Sequence, residues 1–262
     1  TGASAKAGLS ATTGSGGALA VNRVASTTTA RIADGASLQL GGSDLAIMAT
    51  NDTTATATAI SRTGPALGVV VGSDAAVATA GNQSDITGAG DLTLRASSVD
   101  RQTVAAVAAL VSSEVTTAAQ LGAGSPLTAS GSLNVVADQD ATATSTGAGL
   151  SLTISQHRVT TAVARSVFVS GEITLSGSGQ SRTSAFSTTG SWVPAQQGGA
   201  VLAALGGFPG LDIATPVALR AQAVNVALAT VTSRLPFDLP VTSGGPLTIL
   251  AVIAGSATAS IG

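Results

Sequence analysis

The chain has 262 residues with 13 acidic and 11 basic side chains, a net charge of −2, and is 9% charged, 2% aromatic and 44% hydrophobic. So little charge with so much apolar content excludes a disordered tail, and singly scattered basic residues exclude both the basic stripe that nucleic acid requires and a polybasic membrane patch. Cysteine is absent, which excludes disulfides and thiolate metal sites and suits passage through an envelope; no apolar run approaches the roughly 18 residues of a membrane span, so no membrane insertion is expected.

Thr1 to Gly17 is Gly, Ala, Ser and Thr without a basic-then-apolar segment, so an export signal is expected outside this stretch. From there one pattern recurs, a large aliphatic residue, another two positions on, and Ala or Gly after two more. The copies are Leu45-Ile47-Ala49, Leu92-Leu94-Ala96, Leu133-Val135-Ala137, Ile173-Leu175-Gly177, Val217-Leu219-Ala221 and Leu247-Ile249-Ala251. Side chains alternate faces along a strand, so all three positions of each copy point one way. Successive copies begin 47, 41, 40, 44 and 30 residues apart, a range that signals stacked supersecondary units.

Other landmarks lie between these anchors. Thr28-Thr29-Ala30, Thr116-Thr117-Ala118 and Thr160-Thr161-Ala162 recur, and Ala30 and Ala118 each stand 15 residues before the next anchor, which places the triplets in register. Alternating runs such as Thr54 to Ala59, Thr103 to Leu110 and Ala141 to Thr144 suit a narrow interior with Ala inside and Thr outside. Gly, Asn, Asp and Ser separate the runs, as at Asp34-Gly35, Gly41-Gly42-Ser43, Gly81-Asn82 and Gly88-Ala89-Gly90.

These units predict an all-β parallel β-solenoid (β-helix), right-handed as parallel crossovers are. One circuit of 40 or more extended residues would have a perimeter of about 130 Å, too wide for Ala and Val to fill, so each 40–47-residue repeat is expected to make two coils of about 20 residues. A sandwich of antiparallel hairpins is the competing reading, but Asp34-Gly35 is the only two-residue turn dipeptide of that kind. The regular repeats are expected over 1–189 and a continuation of the solenoid over 216–262. Between them, 190–215 reads as a Gly/Pro-rich insertion in which Ala200–Leu205 suits a short helical turn. Trp192, Leu202, Leu205 and Phe208 form a candidate contact patch there, because exposed aromatic and large aliphatic side chains are favoured interface anchors.

The run Gly17 to Val24, then Thr27 to Ile32, Asp34-Gly35-Ala36 and Gly42 to Ala49, resembles repeats of very large secreted bacterial exoproteins of the filamentous-haemagglutinin and leukotoxin-type filamentous adhesins. The resemblance covers Gly17 to Thr189, with partial returns at Pro216–Ala229 and Pro246–Ala259. It implies a β-helical stalk, extracellular or at the cell surface, exported through a dedicated secretion route and serving adhesion or matrix formation. The Pro-rich interruption departs from the pattern, and no binding residue carries over.

Chemistry is not expected. Two Glu, no Tyr and Asp placed mainly at corners do not make the carboxylate clusters and aromatic platforms of a polysaccharide-cleaving solenoid. No catalytic residue, metal site or cofactor is therefore assigned. His157, the sole histidine, is expected to face solvent beside Gln156 and Arg158, and Asp138-Gln139-Asp140 to form a solvated corner; Gly14 to Gly17 and Gly88 to Gly90 read as turns. The expected function is a structural segment of an extracellular bacterial fibre or adhesin. Its partners would be neighbouring repeats, copies of itself, and host-surface or matrix components. The alternatives are an ice-binding solenoid, for which Thr54-Thr56-Thr58 would need matching Thr on nearly every coil, and a self-assembling filament protomer.

Overall fold

The structure is a computed structural model and describes the backbone of residues 2–13 together with residues 18–61, 66–188 and 222–261. The described residues form strands joined by turns and contain no helix. In chain order the strands are β1 (Gly2–Thr13), β2 (Ala18–Ile32), β3 (Ser37–Gln39), β4 (Leu45–Ser61), β5 (Ala66–Ala80), β6 (Asp85–Thr87), β7 (Leu92–Leu121), β8 (Leu127–Ala129), β9 (Leu133–Val163), β10 (Val167–Val169), β11 (Ile173–Ser187), β12 (Gln222–Arg234), β13 (Val241–Ser243) and β14 (Leu247–Ile261). Every strand pairing is parallel.

The pairing runs from each repeat to the next. Leu45 lies beside Leu92, Leu92 beside Leu133, Leu133 beside Ile173 and Ile173 beside Leu247, so five of the six anchors form one column as the period-two pattern predicts. Val217 lies outside the described residues. A second row runs through β2, β5, the latter half of β7, the latter half of β9 and β12. Short strands supply the third row, β3 with β6 and β8 with β10 and β13. Each repeat is thus one level of a stack with two long strands and one short one, an arrangement compatible with a β-helix.

The two-coil expectation is corrected by these registers, because each strand pairs with its equivalent a whole repeat away. The circuit closes without a wide hollow because it is flat. The two long strands face each other, and the gap is set by one layer of side chains and not by the perimeter. Val104 and Gln102 of β7 reach across to β5, where glycines stand: a Cβ on Gly68 would sit 2.7 Å from Val104 Cγ1, and one on Gly72 would overlap the Gln102 amide. The landmark triplets are also not in phase. Thr28 is equivalent to Thr117, through Ala76, and to Val159, so the copy at 116–118 runs one residue early and the copy at 160–162 one late. What the levels share is inward parity, since a one-residue slip turns every side chain to the other face.

Interior composition follows width. Leu92, Leu94, Leu121, Leu127, Leu133, Ile173 and Leu175 are fully buried near the short strands, where three walls meet. Towards the opposite edge the interior narrows to Ala18, Ala20, Ala55, Ala57, Ala109 and Ala143, with Thr54, Thr56 and Thr58 on the outer face. Each fully buried Leu or Ile contributes about 1.5–3 kcal/mol. β14 is different. It pairs only with β11 among the described strands, and all its side chains are exposed, including Leu247 at 51%.

Corner side chains tie successive levels. The Asp44 carboxylate accepts from the Asp91 amide at 2.8 Å, Asp91 from the Ser132 amide at 2.7 Å, and the Ser132 hydroxyl oxygen from the Glu172 amide at 3.2 Å. Asp34 and Asn82 do the same one corner away, accepting from Asn82 and Ala123. Ser187 is equivalent to Gly147 and Gln222 to Leu150, so 34 residues separate in sequence two positions that only residues 148 and 149 separate in the preceding level.

Candidate functional site

Among the described residues a large share of the polar side chains is buried. The anchor parity of β7 continues inward through Ser98, Asp100, Gln102 and Val104, and that of β5 brings Asp74 inward with Ala76 and Ala78. The outcome is a file of buried polar side chains through successive levels. At its start Ser26 Oγ donates to Asn51 Oδ1 at 2.7 Å. Thr53 Oγ1 donates to Asp74 Oδ1 at 2.9 Å, and Asp100 Oδ2 accepts from Ser113 Oγ at 2.9 Å and Gln102 Nε2 at 3.0 Å. His157 then lies between Ser113, 3.2 Å from Nε2, and Ser181, 2.7 Å from Nδ1.

Burial sets the charge states. Asp100 is pushed up to about 8, first by burial and then by the neighbouring Asp74 carboxylate. Asp74 is raised by burial, against hydrogen bonds from Thr53 and Asn51 that favour its charged form. His157 is pushed down to about 4 by burial and is neutral at pH 7. The expectation that it faces solvent is therefore wrong. It is 3% exposed, because β9 keeps its inward parity from Ser151 through Val163 and His157 falls on that phase.

Ser113, His157 and Asp100 have the residue types of a nucleophilic triad without its arrangement. The carboxylate accepts from the serine and not from the imidazole, and all three side chains are sealed in the interior. A triad needs the carboxylate on the far side of the imidazole and a serine open to substrate.

A second buried feature is Arg165, 1% exposed, in the turn between β9 and β10. Its Nε donates to the Gly122 carbonyl at 2.6 Å, Nη1 to the Ser84 carbonyl at 2.6 Å, and Nη2 to the Gly81 carbonyl at 3.1 Å and Ser84 Oγ at 2.9 Å. Its planar fork thus clamps corners of the two preceding levels. Sequence reasoning did not single it out. The available signal was a lone charge in the apolar run Val163 to Val169.

The outer faces carry the remaining candidates. Asp138 and Asp140 are not at a corner, as expected, but in mid-strand on the outward face of β9, where the odd-numbered anchors of that level force even-numbered residues out. Asp138 pairs with Arg95 at 3.2 Å and Asp140 with Arg182 at 2.8 Å. Beside them Thr56, Thr103, Thr144, Ser184 and Thr258 form a hydroxyl column five levels long, so Thr103 supplies the match to Thr56 that the sequence did not reveal. The adjacent column reads Thr54, Arg101, Thr142, Arg182 and Ser256, which interrupts the array on alternate levels. Val21, Val69, Leu110, Leu152 and Val224 form another column, of opposite parity to the core of the second row, but Val69, Leu110 and Leu152 are buried and only Val21 and Val224 are exposed.

Trp192, Leu202, Leu205 and Phe208 lie outside the described residues, as do Gly14 to Gly17 and Ala200–Leu205. Among the described residues no group of three or more His, Asp or Glu side chains could hold a metal ion, and no helix is long and apolar enough to cross a membrane. No family model matches the chain, and neither the curated proteins nor the solved structures contain a match to it.

Proposed function

We propose that the chain is a right-handed β-solenoid segment of an extracellular bacterial fibre or adhesin, a structural and non-enzymatic part that supplies reach and rigidity. The observation that carries this reading is the continuous parallel register of one level per repeat, with many polar side chains turned inward and corner carboxylates bonded to the backbone of the next level. A stack built this way extends by adding repeats and resists bending, since each level is bonded to its neighbours along the whole circuit. The resemblance to filamentous adhesin repeats supports a cell-surface setting, with Trp192, Leu202, Leu205 and Phe208 as the candidate contact residues. Electron microscopy of the purified chain tests the reading: rods of uniform width support it, and compact particles refute it.

A second reading is a self-assembling filament protomer. Concentration-dependent lengthening of the rods would mark that behaviour. The ice-binding alternative is weakened by Arg101 and Arg182 within the outer array.

A further inference from the structure

Donor directions along the internal file lead to one place. Ser113 has a single hydroxyl proton, which it gives to Asp100 Oδ2, so towards His157 its oxygen must accept. His157 therefore carries its proton on Nε2, and Nδ1 accepts from the Ser181 hydroxyl. From the other side Thr53 gives its proton to Asp74 Oδ1. The two chains of donors meet at Asp74 and Asp100: Thr53, the donor to Asp74, lies beside Asp100 in the β4–β7 register, and both carboxyls are buried. Asp74 Oδ2 and Asp100 Oδ1 remain buried without a donor.

Among the described residues, the elements packed around the pair offer no counter-charge. Facing it are Ser26 from β2, Asn51 and Thr53 from β4, and Gln102 and Ser113 from β7, all uncharged. The titratable group next along is His157 from β9, reached through Ser113 and neutral. Two carboxylates in that setting would carry two negative charges in a desolvated interior, which a protein avoids by keeping a proton.

We propose that Asp74 and Asp100 hold one proton between Asp74 Oδ2 and Asp100 Oδ1, and that this shared proton latches the second level of the stack to the third, which loosens when the proton leaves. Asp74 belongs to β5 and Asp100 to the β7 strand of the following level, so the bond crosses the interior between levels. Asp100 at about 8 against an ordinary 3.8 means that the folded chain keeps the proton across a range in which the unfolded chain has lost it. The contribution of the pair to folding stability is then greatest in acid and declines as pH rises to about 8, and above the range in which His157 titrates the folded-to-unfolded ratio falls by up to about tenfold per pH unit.

Thermal and urea unfolding of the chain at intervals from pH 6.5 to 9.5 tests this, beside Asp74→Asn and Asp100→Asn. Wild type should lose stability towards pH 8 and level off above it. Each Asn variant, whose amide supplies the missing donor, should be flat across the range and more stable than wild type at pH 9. A flat wild-type curve, or variants with the wild-type slope, would overturn the proposal. So would stability at pH 9 that rises with added Ca²⁺ and falls with chelator, which would put a cation where the proton is placed. If the variants do not fold, infrared spectra of the wild-type chain decide: a protonated-carboxyl band at pH 7 that disappears by pH 9.5 supports the shared proton, and its absence at pH 7 refutes it.

Discussion

Arg165 and Ser84 are separated by 81 positions in sequence, yet Nη1 of the first donates to the carbonyl of the second at 2.6 Å. The same guanidinium reaches Gly122 and Gly81, so one side chain joins three levels at their shared corner. Removing it would leave several buried carbonyls without a donor. Arg165→Ala should therefore cost about 3–5 kcal/mol, measured as a drop in urea midpoint. Arg165→Lys should recover only part of it, because an ammonium lacks the fork that meets all three carbonyls.

The anchor column predicts a contrast within one motif. Leu94 is fully buried and should cost about 2–5 kcal/mol on truncation to Ala. Leu247 occupies the same column at 51% exposure on β14, and Leu247→Ala should change stability by no more than about 0.5 kcal/mol. Equal effects at the two positions would contradict the assignment of β14 as an uncovered level.

The acid side of the pH profile separates two buried groups of opposite sign. His157, lowered to about 4 from 6.5, contributes stability that is complete above pH 6.5 and lost as pH falls towards 4. Asp100, raised to about 8 from 3.8, contributes stability that is complete below about pH 4 and lost as pH rises towards 8. Between pH 4 and 6.5 the two trends offset each other, so wild-type stability should vary little there. Asp100→Asn removes one trend and should expose the other, a loss of stability on acidification from pH 6.5 to 4.

The surface pairs should matter little. Arg182 and Asp140 are 54% and 40% exposed at the side chain, so Arg182→Ala should change stability by about 1 kcal/mol or less, with a difference that shrinks in high salt. Residues 188–221 should be replaceable. Ser187 and Gln222 stand where the preceding level needs only two linking residues, so a two-residue Gly-Ser bridge should preserve the β-rich circular dichroism spectrum. Loss of surface adhesion in that variant would assign the contact to the deleted segment, and unchanged adhesion would place it elsewhere on the stack.

Much of this was readable from period-two parity. Leu92, Leu133 and Ile173 stack as their spacing implies, and Ala55, Ala57, Ala141 and Ala143 face inward. Carrying the same parity further would have buried Asp100 and Gln102 and turned Asp138 and Asp140 outward. The size of a level was not readable, because perimeter does not determine interior width once two long strands lie against each other. Nor was the Arg165 clamp, whose partners at Gly81, Ser84 and Gly122 are backbone carbonyls without a residue signature. The polar file depends on which inward residues meet across the gap, and that is set by the closeness permitted at Gly68 and Gly72.

One distance tests the stack most directly. Thr56 and Thr258 lie in one outward column four levels apart, and the absence of native cysteine lets Thr56→Cys and Thr258→Cys be spin-labelled without competition. With one level per repeat and strands about 4.8 Å apart, electron–electron resonance should report a backbone separation of about 19 Å once label length is allowed for. A separation of about 38 Å would mean two coils per repeat and would contradict the architecture on which the fibre reading rests.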